Sequence, residues 1–280
     1  MGIARSILLK ASRSQWLARQ LRERRFFQRA VRRFMPGETL EAALEAAGAF
    51  SKQDLGSVLT ELGEQVTNRA EAADVRAHYI SVLDKIQRRK LPAHISVKLT
   101  HLGLDASREG CVQDILKLAA RADQARSFLW IDMEESRYVD ATLELYRRGR
   151  ARSSRIGLAL QAYLYRTAKD VESLIPLGPA IRIVKGAYLE PPDVAYPKKS
   201  DVDENFYKLS CRLLADDAQK AGGLLHIATH DGKLVERLGQ VIDQRNVPAS
   251  AYEYAMLYGI QRPLQQRLLN ARKPLRILIA

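Results

Sequence analysis

Short apolar runs alternate along most of this chain with longer stretches in which apolar residues recur every three or four positions. Short runs between turn residues are typical of buried strands, whereas the longer spacing predicts helices with one buried face. The strands predicted in this way are 58–62, 95–100, 128–133, 157–162, 181–186, 224–229, 251–256 and 275–279. Eight strands that alternate with helices over about 250 residues favour a (β/α)8 TIM-like barrel over an open sheet.

The helical segments also carry start signals and buried stripes. Thr39 stands in a capping position before Leu40, where we expect the first helix of the barrel to begin. A later segment places Val75, Tyr79 and Leu83 on one stripe, which we expect to face the strands.

The first 37 residues differ from the remainder, so we divide the chain into a basic helical arm, residues 1–37, and a barrel, residues 38–280. The arm holds nine arginines and one lysine against one acid, which accounts for +9 of the net charge of +13. Its apolar residues also form a stripe if it is helical, so it fits a helix packed on its own domain or, over residues 1–34, one lying on an anionic membrane surface. Nucleic acid is the least favoured partner, because no nucleic-acid-binding motif accompanies the charge.

The composition indicates where in the cell the protein is located. Cys111 and Cys211 are too few for a disulfide framework and form no Cys-x-x-Cys pair, which indicates a reducing compartment. No apolar run is long enough to span a membrane. We therefore expect a cytoplasmic protein, with the arm as its potential contact with the inner face of a membrane.

The segment 182–188, Arg-Ile-Val-Lys-Gly-Ala-Tyr, carries the most unusual chemistry. Arg182 and Lys185 lie on opposite faces of one short strand, and Gly186 lets another group approach the backbone closely. Tyr188 then stands where the strand becomes a loop, which is the catalytic rim in a parallel barrel. Either this is a catalytic site, or the two cations pair with structural carboxylates.

Two neighbouring strands carry inward-facing charges. Alternation turns Ser96 and Lys98 to one face of the second strand and Asp132 inward on the third, so we expect Lys98 and Asp132 to pair. Because burying such a pair contributes little stability, a role in a cleft explains it better than structure alone. A lysine beside an aspartate also fits a Schiff-base aldolase.

Other strand ends carry neutral polar groups. Gln161 follows small residues on the fourth strand, where they leave room for a ligand. His226 and His230 lie on the sixth strand, but no further His or Cys has supporting spacing, so we expect no metal. Dinucleotide and P-loop fingerprints do not occur in the sequence.

Taken in order, these segments resemble the motifs of the flavin-dependent proline dehydrogenase family. The segments that carry the resemblance are 36–39, 96–105, 131–135, 160–167, 182–188, 228–231 and 252–259. The resemblance implies a distorted (β/α)8 barrel that binds FAD without a Rossmann fold. It also implies oxidation of L-proline to 1-pyrroline-5-carboxylate, with electrons passed to a membrane quinone.

The resemblance implies a role for each matching residue. Lys98 and Tyr188 would contact the substrate, and Asp132 would orient Lys98 and the flavin edge. Arg182 would lie against the reactive nitrogen of the flavin, where a fixed cation stabilises the reduced ring. The residues implied to bind the cofactor are Met133, Gln161, Arg182, Lys185, Gly186, Ala187, Tyr188, Thr229, His230 and Leu257.

The sequence departs from the family pattern near its end. Ala255 stands where the family commonly has glutamine, and Leu278 stands where relatives have a tyrosine. The family continues into an eighth helix with an arginine pair, so we expect a C-terminally incomplete barrel in which Leu275, Ile277 and Ile279 are poorly covered. A flavin-binding but catalytically weak remnant is therefore an alternative to an active enzyme.

Overall fold

The computed structural model describes residues 35–280, in which parallel strands close into a barrel in sequence order. The strands are β1 Gly56–Thr60, β2 Ala93–Val97, β3 Leu129–Ile131, β4 Ile156–Gln161, β5 Ala180–Val184, β6 Leu224–Ala228, β7 Tyr252–Leu257 and β8 Leu275–Ile279. Each strand pairs with the next, and β8 pairs with β1. This architecture confirms the predicted (β/α)8 barrel.

Helices cover the outside of the barrel. They are α1 Leu40–Ser51, α2 Arg69–Arg89, α3 Arg108–Gln124, α4 Val139–Arg150, α5 Thr167–Leu174, α6 Lys199–Leu213, α7 Asp216–Lys220, α8 Gly232–Gln244 and α9 Arg262–Asn270, with 3-10 turns at Ser136–Tyr138 and Ile175–Leu177. Thr39 caps α1 as predicted, because its hydroxyl accepts a hydrogen bond from the backbone N–H of Ala42 at 3.2 Å. The predicted stripe on α2 is buried, including Tyr79 and Leu83.

The first strand begins two residues earlier than predicted. The register along β1 pairs Ser57 with Ala93 of β2 and with Ile277 of β8, and the strand ends at Thr60. The segment that follows belongs to a loop at the carboxyl end of the barrel. This loop carries Glu64, which lies outside every predicted strand, to the mouth of the barrel.

The prediction that the outer face of β8 would be poorly covered is wrong. Its outward residues are 5%, 0% and 0% exposed, in the order Leu275, Ile277 and Ile279. The outer face of β8 packs against α9, and α1 packs against β1, where its residues Leu40 and Ala43 line one small cavity together with Ile279. Phe50 at the end of α1 packs edge-on against Tyr258 at 5.9 Å, and Glu41 at its start pairs with Arg89 of α2. A helix that precedes β1 therefore fills the eighth position around the barrel.

Buried apolar residues form two clusters. The larger one lies between the strands and the surrounding helices. The smaller one lies inside the barrel, where Val58, Trp130 and Ala180 are buried together. Polar side chains such as Ser96 and Arg182 share this interior, because strand alternation turns them inward. The interior is thus partly apolar and partly charged.

The predicted basic arm lies outside the described residues over positions 1–34, so its helical character stays a prediction. Within residues 35–280, no helix is both long enough and apolar enough to cross a membrane.

Candidate active site

A cavity of about 740 Å³ opens at the carboxyl ends of the strands, where parallel barrels place their active sites. Its lining residues are Glu64, Lys98, Asp132, Met133, Ala159, Gln161, Val184, Lys185, Gly186, Ala187, Tyr188, Ala228, Thr229, His230, Asp231 and Leu257. Every residue that the sequence predicted for the site lies in this set except Arg182. Arg182 lies just beneath the cavity, only 3% exposed, and contacts the lining residue Asp132.

The buried cation of the site, Arg182, is held by a serine from across the barrel interior and by a carboxylate. Arg182 Nη2 donates a hydrogen bond to Ser96 Oγ at 2.8 Å and also to the carboxylate of Asp132. The Ser96 hydroxyl in turn donates to Asp132 Oδ1 at 3.0 Å. Because these three residues come from β2, the end of β3 and β5, barrel closure is what brings them together.

The predicted ion pair between Lys98 and Asp132 is not formed, and so Asp132 does not orient Lys98 as the resemblance implied. Lys98 Nζ instead lies 2.8 Å from Glu64 Oε1, on the loop after β1. The two side chains point in different directions. The Asp132 carboxylate turns toward Arg182 inside the barrel, whereas the long Lys98 side chain extends to the mouth of the barrel. Asp132 therefore neutralises Arg182, and Glu64 neutralises Lys98.

Glu64 also ties Lys98 to the predicted substrate residue Tyr188, whose phenol donates to Glu64 Oε1 at 3.1 Å. Burial raises the pKa of Glu64. The hydrogen bonds from Lys98 and Tyr188 and the charge of the lysine lower it by more, so the pKa of Glu64 lies below its usual value. Burial and the Glu64 carboxylate both raise the pKa of Tyr188, which keeps its phenol protonated at neutral pH. Sequence reasoning missed Glu64, because a single glutamate in the loop after the first strand has no spacing that marks it as a site residue.

A second charged group lies on the other side of the cavity. Lys185 Nζ is 2.5 Å from Asp203 Oδ1 and 3.0 Å from Asp231 Oδ2, and Lys199 contacts both aspartates. Burial raises the pKa of Asp231, but the hydrogen bonds and charges of Lys185 and Lys199 outweigh burial and bring this pKa down to about 2. The sequence pointed to Lys185, whereas Asp203 comes from α6 and had no signal of its own.

The glycine of the 182–188 segment is required by a packed ring. Gly186 has a φ of 119°, and a Cβ atom there would lie 2.3 Å from Tyr163 Cδ1. Both the backbone angle and the contact exclude larger residues. The group close to Gly186 is thus the Tyr163 side chain, which shapes the loop on which Ala187 lines the cavity. The close approach of a backbone or a flat ligand at Gly186 stays a prediction.

Three further predicted residues line the cavity near β6 and β7. His230 Nε2 accepts a hydrogen bond from the backbone N–H of Leu257 at 2.9 Å. Burial lowers the pKa of His230, in agreement with a neutral ring that accepts this bond. Thr229 accepts from the backbone N–H of Asp231 at 3.2 Å. The His230 bond joins the ends of β6 and β7, which form this wall, and the Thr229 bond holds the loop after β6.

The other histidine, His226, lies inside the barrel rather than at the mouth. It is fully buried, with Nε2 2.9 Å from Glu253 Oε2 and its ring centroid 4.1 Å from that of Trp130. Burial lowers the pKa of His226 to about 4, an effect only partly offset by Glu253, so the ring is neutral at pH 7. Across the described residues, no group of three or more acidic, His or Cys side chains is arranged to hold a metal ion.

Two buried polar atoms beside the cavity have no hydrogen-bond partner among residues 35–280. They are Arg182 Nη1 and Gln161 Oε1; the Gln161 amide donates only a long bond of 3.4 Å, to the Met133 carbonyl. Buried polar atoms are usually satisfied, so these two fit contacts with a bound polar molecule. A flat aromatic ring with several nitrogen and oxygen atoms, such as a flavin, suits a cavity of this volume with both a cation and an amide at its base.

The fold and the cavity together define a class, a (β/α)8 barrel enzyme whose site lies at the carboxyl ends of its strands. Residues 43–280 match the family model described as proline dehydrogenase. The chain therefore belongs to the proline dehydrogenase family, and it is an enzyme of that family.

Individual relatives agree with this membership. The chain is 34% identical to the proline dehydrogenase of Deinococcus radiodurans over 94% of its own length and 84% of that protein. It is 32% identical to proline dehydrogenase 1 of Bacillus subtilis strain 168 over 89% of its length and 81% of that protein.

A solved structure shares the fold. Proline utilization A from Bdellovibrio bacteriovorus superposes with a TM-score of 0.82 at 21% identity over 90% of this chain. The chain spans 31% of the length of that larger protein. At this level of identity, the likeness shows the fold alone.

Proposed function

We propose that this protein oxidises L-proline to 1-pyrroline-5-carboxylate with FAD bound in the cavity and passes the electrons to a quinone. One observation carries the proposal: the residues predicted for substrate and cofactor converge on a single cavity in a member of the proline dehydrogenase family. When bound, FAD supplies the acceptor for a hydride from the substrate. The remaining tasks fall to the side chains of this chain.

The substrate end of the cavity would be the group of Lys98, Tyr188 and Glu64. An amino acid brings a carboxylate, and Lys98 with the Tyr188 phenol offers a charge and a hydrogen-bond donor for it. Glu64 accepts the only O–H of Tyr188 at 3.1 Å and contacts Lys98 at 2.8 Å, so its negative charge competes with that carboxylate for both groups. Lys98 would then lie near the substrate amine, where a cation lowers the amine pKa and favours the neutral form needed for hydride loss.

The cofactor end would be the group of Arg182, Gln161 and the wall from Lys185 to Ala187. Arg182 Nη1 and Gln161 Oε1 are the two buried atoms free to bond a ring. Arg182 brings a fixed positive charge that favours electron transfer into that ring. Met133, Thr229, His230 and Leu257 would supply the remaining contacts, and Asp132 would hold Arg182 in place.

The Schiff-base aldolase interpretation is less well supported. A Schiff-base lysine must present its amine to the substrate carbonyl, whereas Lys98 Nζ contacts the Glu64 carboxylate at 2.8 Å. Borohydride trapping with a carbonyl substrate separates the two functions, because covalent trapping on Lys98 would favour the aldolase.

The test of the proposed function is reconstitution with FAD followed by proline oxidation with an artificial acceptor. We expect a yellow protein that turns over, with activity lost in Lys98→Met and kept in Lys169→Met, an exposed lysine on α5. Protein that takes up no FAD would overturn the flavin assignment. Protein that binds FAD without oxidising proline would instead support the catalytically weak remnant.

We further propose that residues 1–34 attach the enzyme to anionic lipid, where a quinone would be reached. The support is the positive charge of the arm, which contains nine arginines and one lysine but only one acidic residue. Flotation with vesicles that contain anionic lipid should be lost on deleting residues 2–34 and should weaken with salt. Equal flotation of the full and shortened chains would contradict this role.

A further inference from the structure

Ser96 stands at the centre of the contacts that fix Arg182. It lies on β2, is 0% exposed, and uses its hydroxyl twice. The oxygen accepts a hydrogen bond from Arg182 Nη2 at 2.8 Å, and the hydroxyl donates to Asp132 Oδ1 at 3.0 Å. Serine can do both at once because one hydroxyl provides a donor and two acceptor sites.

The guanidinium is also held from a second direction. Its Cζ lies 5.1 Å from the ring centroid of Trp130, close enough for a cation–π contact. Trp130 is 0% exposed, its indole N–H donates to His94 Nδ1 at 3.3 Å, and its ring packs against His226. The aromatic surface therefore cannot move away, and Arg182 is confined between Trp130, Ser96 and Asp132.

These restraints act on one end of the guanidinium and leave the other end available. Nη2 carries the bonds to Ser96 and Asp132, whereas Nη1 is buried and has no partner in the described part of the chain. We propose that Ser96 is the positioning residue that aims Arg182 Nη1 at the flavin, an inference that rests on the proposed function. The family resemblance includes Ser96 in one of its segments but implies no role for it, and Ser96 does not line the cavity, because its side chain lies one layer below.

The role of the hydroxyl differs from that of Asp132. Asp132 contacts Arg182 directly and would keep its charge paired if Ser96 were alanine. Nη2 would then keep only its bond to Asp132, so the guanidinium could turn about that bond while it stays over the Trp130 ring. Ser96→Ala should therefore leave the arginine charged and buried but poorly directed, and the cost should fall on the bound cofactor more than on folding.

The matched control is Ser57→Ala. Ser57 is also a strand serine, 1% exposed, but its hydroxyl has no hydrogen-bond partner within residues 35–280 and it lies on β1, away from Arg182. Both changes remove one buried hydroxyl from the barrel. A difference between the two variants therefore reports the contact with Arg182 rather than the loss of a serine.

The experiment measures the FAD dissociation constant of the apoprotein, the midpoint potential of the bound flavin and the urea midpoint. We expect Ser96→Ala to weaken FAD binding by about three- to tenfold, the range for one hydrogen bond. The two-electron potential should fall, by about 30 mV for each tenfold preferential loss of affinity for reduced flavin. Ser57→Ala should leave affinity and potential unchanged.

The inference is overturned if Ser96→Ala binds FAD and sets its potential as Ser57→Ala does. It is also overturned if only the urea midpoint of Ser96→Ala changes, because a purely structural serine would behave in that way. Failure of the proposed function looks different, since the wild-type protein itself would then bind no FAD or oxidise no proline.

Discussion

Glu64 forms an ion pair with Lys98, the cation that we assign to the substrate carboxylate. Glu64 should therefore compete with the substrate for Lys98. Its ion pair with Lys98 is partly exposed, at 39% and 23% for the two side chains, and such pairs contribute up to about 1 kcal/mol. Glu64→Gln should therefore lower the proline KM by up to about fivefold while kcat changes little.

Steady-state kinetics with an artificial acceptor measures this effect. The matched control is Glu61→Gln, from the same loop, whose carboxylate lies 3.8 Å from His78 instead of contacting Lys98. An unchanged or raised KM in Glu64→Gln would show that Glu64 does not compete with the substrate.

Arg182 is the residue whose loss should affect the cofactor most. Arg182→Ala removes the buried cation and leaves the Asp132 carboxylate without its partner. Losing a charged hydrogen bond should weaken FAD binding by at least about tenfold, and the flavin should become harder to reduce. Arg182→Lys keeps the charge but not the planar geometry, so its affinity and potential should lie between those of the wild type and the alanine variant.

Flavin content per polypeptide and the midpoint potential are the measurements for both variants. An alanine variant with normal flavin content and an unchanged potential would make Arg182 a structural residue that serves only to pair with Asp132.

At the scale of elements, α1 is the helix whose position the strand pattern did not reveal. It precedes β1 in the chain and packs against β1, yet its residues Leu40 and Ala43 also line one small cavity with Ile279 of β8, because the barrel closes between these two strands. Its buried residue Leu44 is 1% exposed and belongs to the large apolar cluster. The stability of the closed barrel should therefore depend on the packing of α1.

Leu44→Ala should lower the free energy of unfolding by about 2 to 4 kcal/mol, from lost burial and the cavity left behind. Glu45→Ala changes the exposed neighbour on the same helix and should stay within about 0.5 kcal/mol of the wild type. Urea denaturation measures both. Equal effects of the two changes would mean that α1 contributes nothing to the closure of the barrel.

At the scale of the whole molecule, the barrel interior carries a charged group below the cavity. Arg276 makes a two-pronged contact with Glu253 at 2.7 and 2.8 Å, and Glu253 lies beside His226. Arg182 is the register partner of His226 on the adjacent strand β5, so His226 has Arg182 and Arg276 as cationic neighbours beside the acidic Glu253. The ring of His94, whose pKa burial holds well below its usual value, stacks at 6.4 Å. Protonation of His226 is therefore costly in the folded protein.

This cost predicts how stability changes with pH. The pKa of His226 is about 4 in the folded state, where burial is the main cause, against about 6.5 in the unfolded chain. Because the unfolded chain takes up the proton first, stability present above pH 6.5 is lost as the pH falls toward 4. Between pH 7 and pH 5, His226 should account for a loss of about 2 kcal/mol.

Urea denaturation at pH 7 and at pH 5 tests this contribution. His226→Asn should be less stable at pH 7 but should lose about 2 kcal/mol less than the wild type between the two pH values. His78→Asn, at a partly exposed histidine, should leave the pH dependence unchanged. The same loss in His226→Asn as in the wild type would assign the acid sensitivity to other groups.

The candidate site was predictable to different degrees. The motif residues Lys98, Gln161 and Gly186 were identified from the sequence and line one cavity. Glu64 and Ser96 were missed as site residues, since a single glutamate in a loop and a serine in a strand are common and carry no spacing signal. Their importance arises only from the groups that the closed barrel places against them.

The sequence by itself determined the number and order of the strands and the face on which each side chain lies, because period-two alternation and helical periodicity are local properties. Only the tertiary structure decided which charges meet. Asp132 pairs with Arg182, fifty positions along the chain, instead of with Lys98, because barrel closure and side-chain length set these distances. In the same way, α1 lies beside Ile279 of β8 although it precedes β1 in the chain, since closing the sheet makes the first and last strands neighbours.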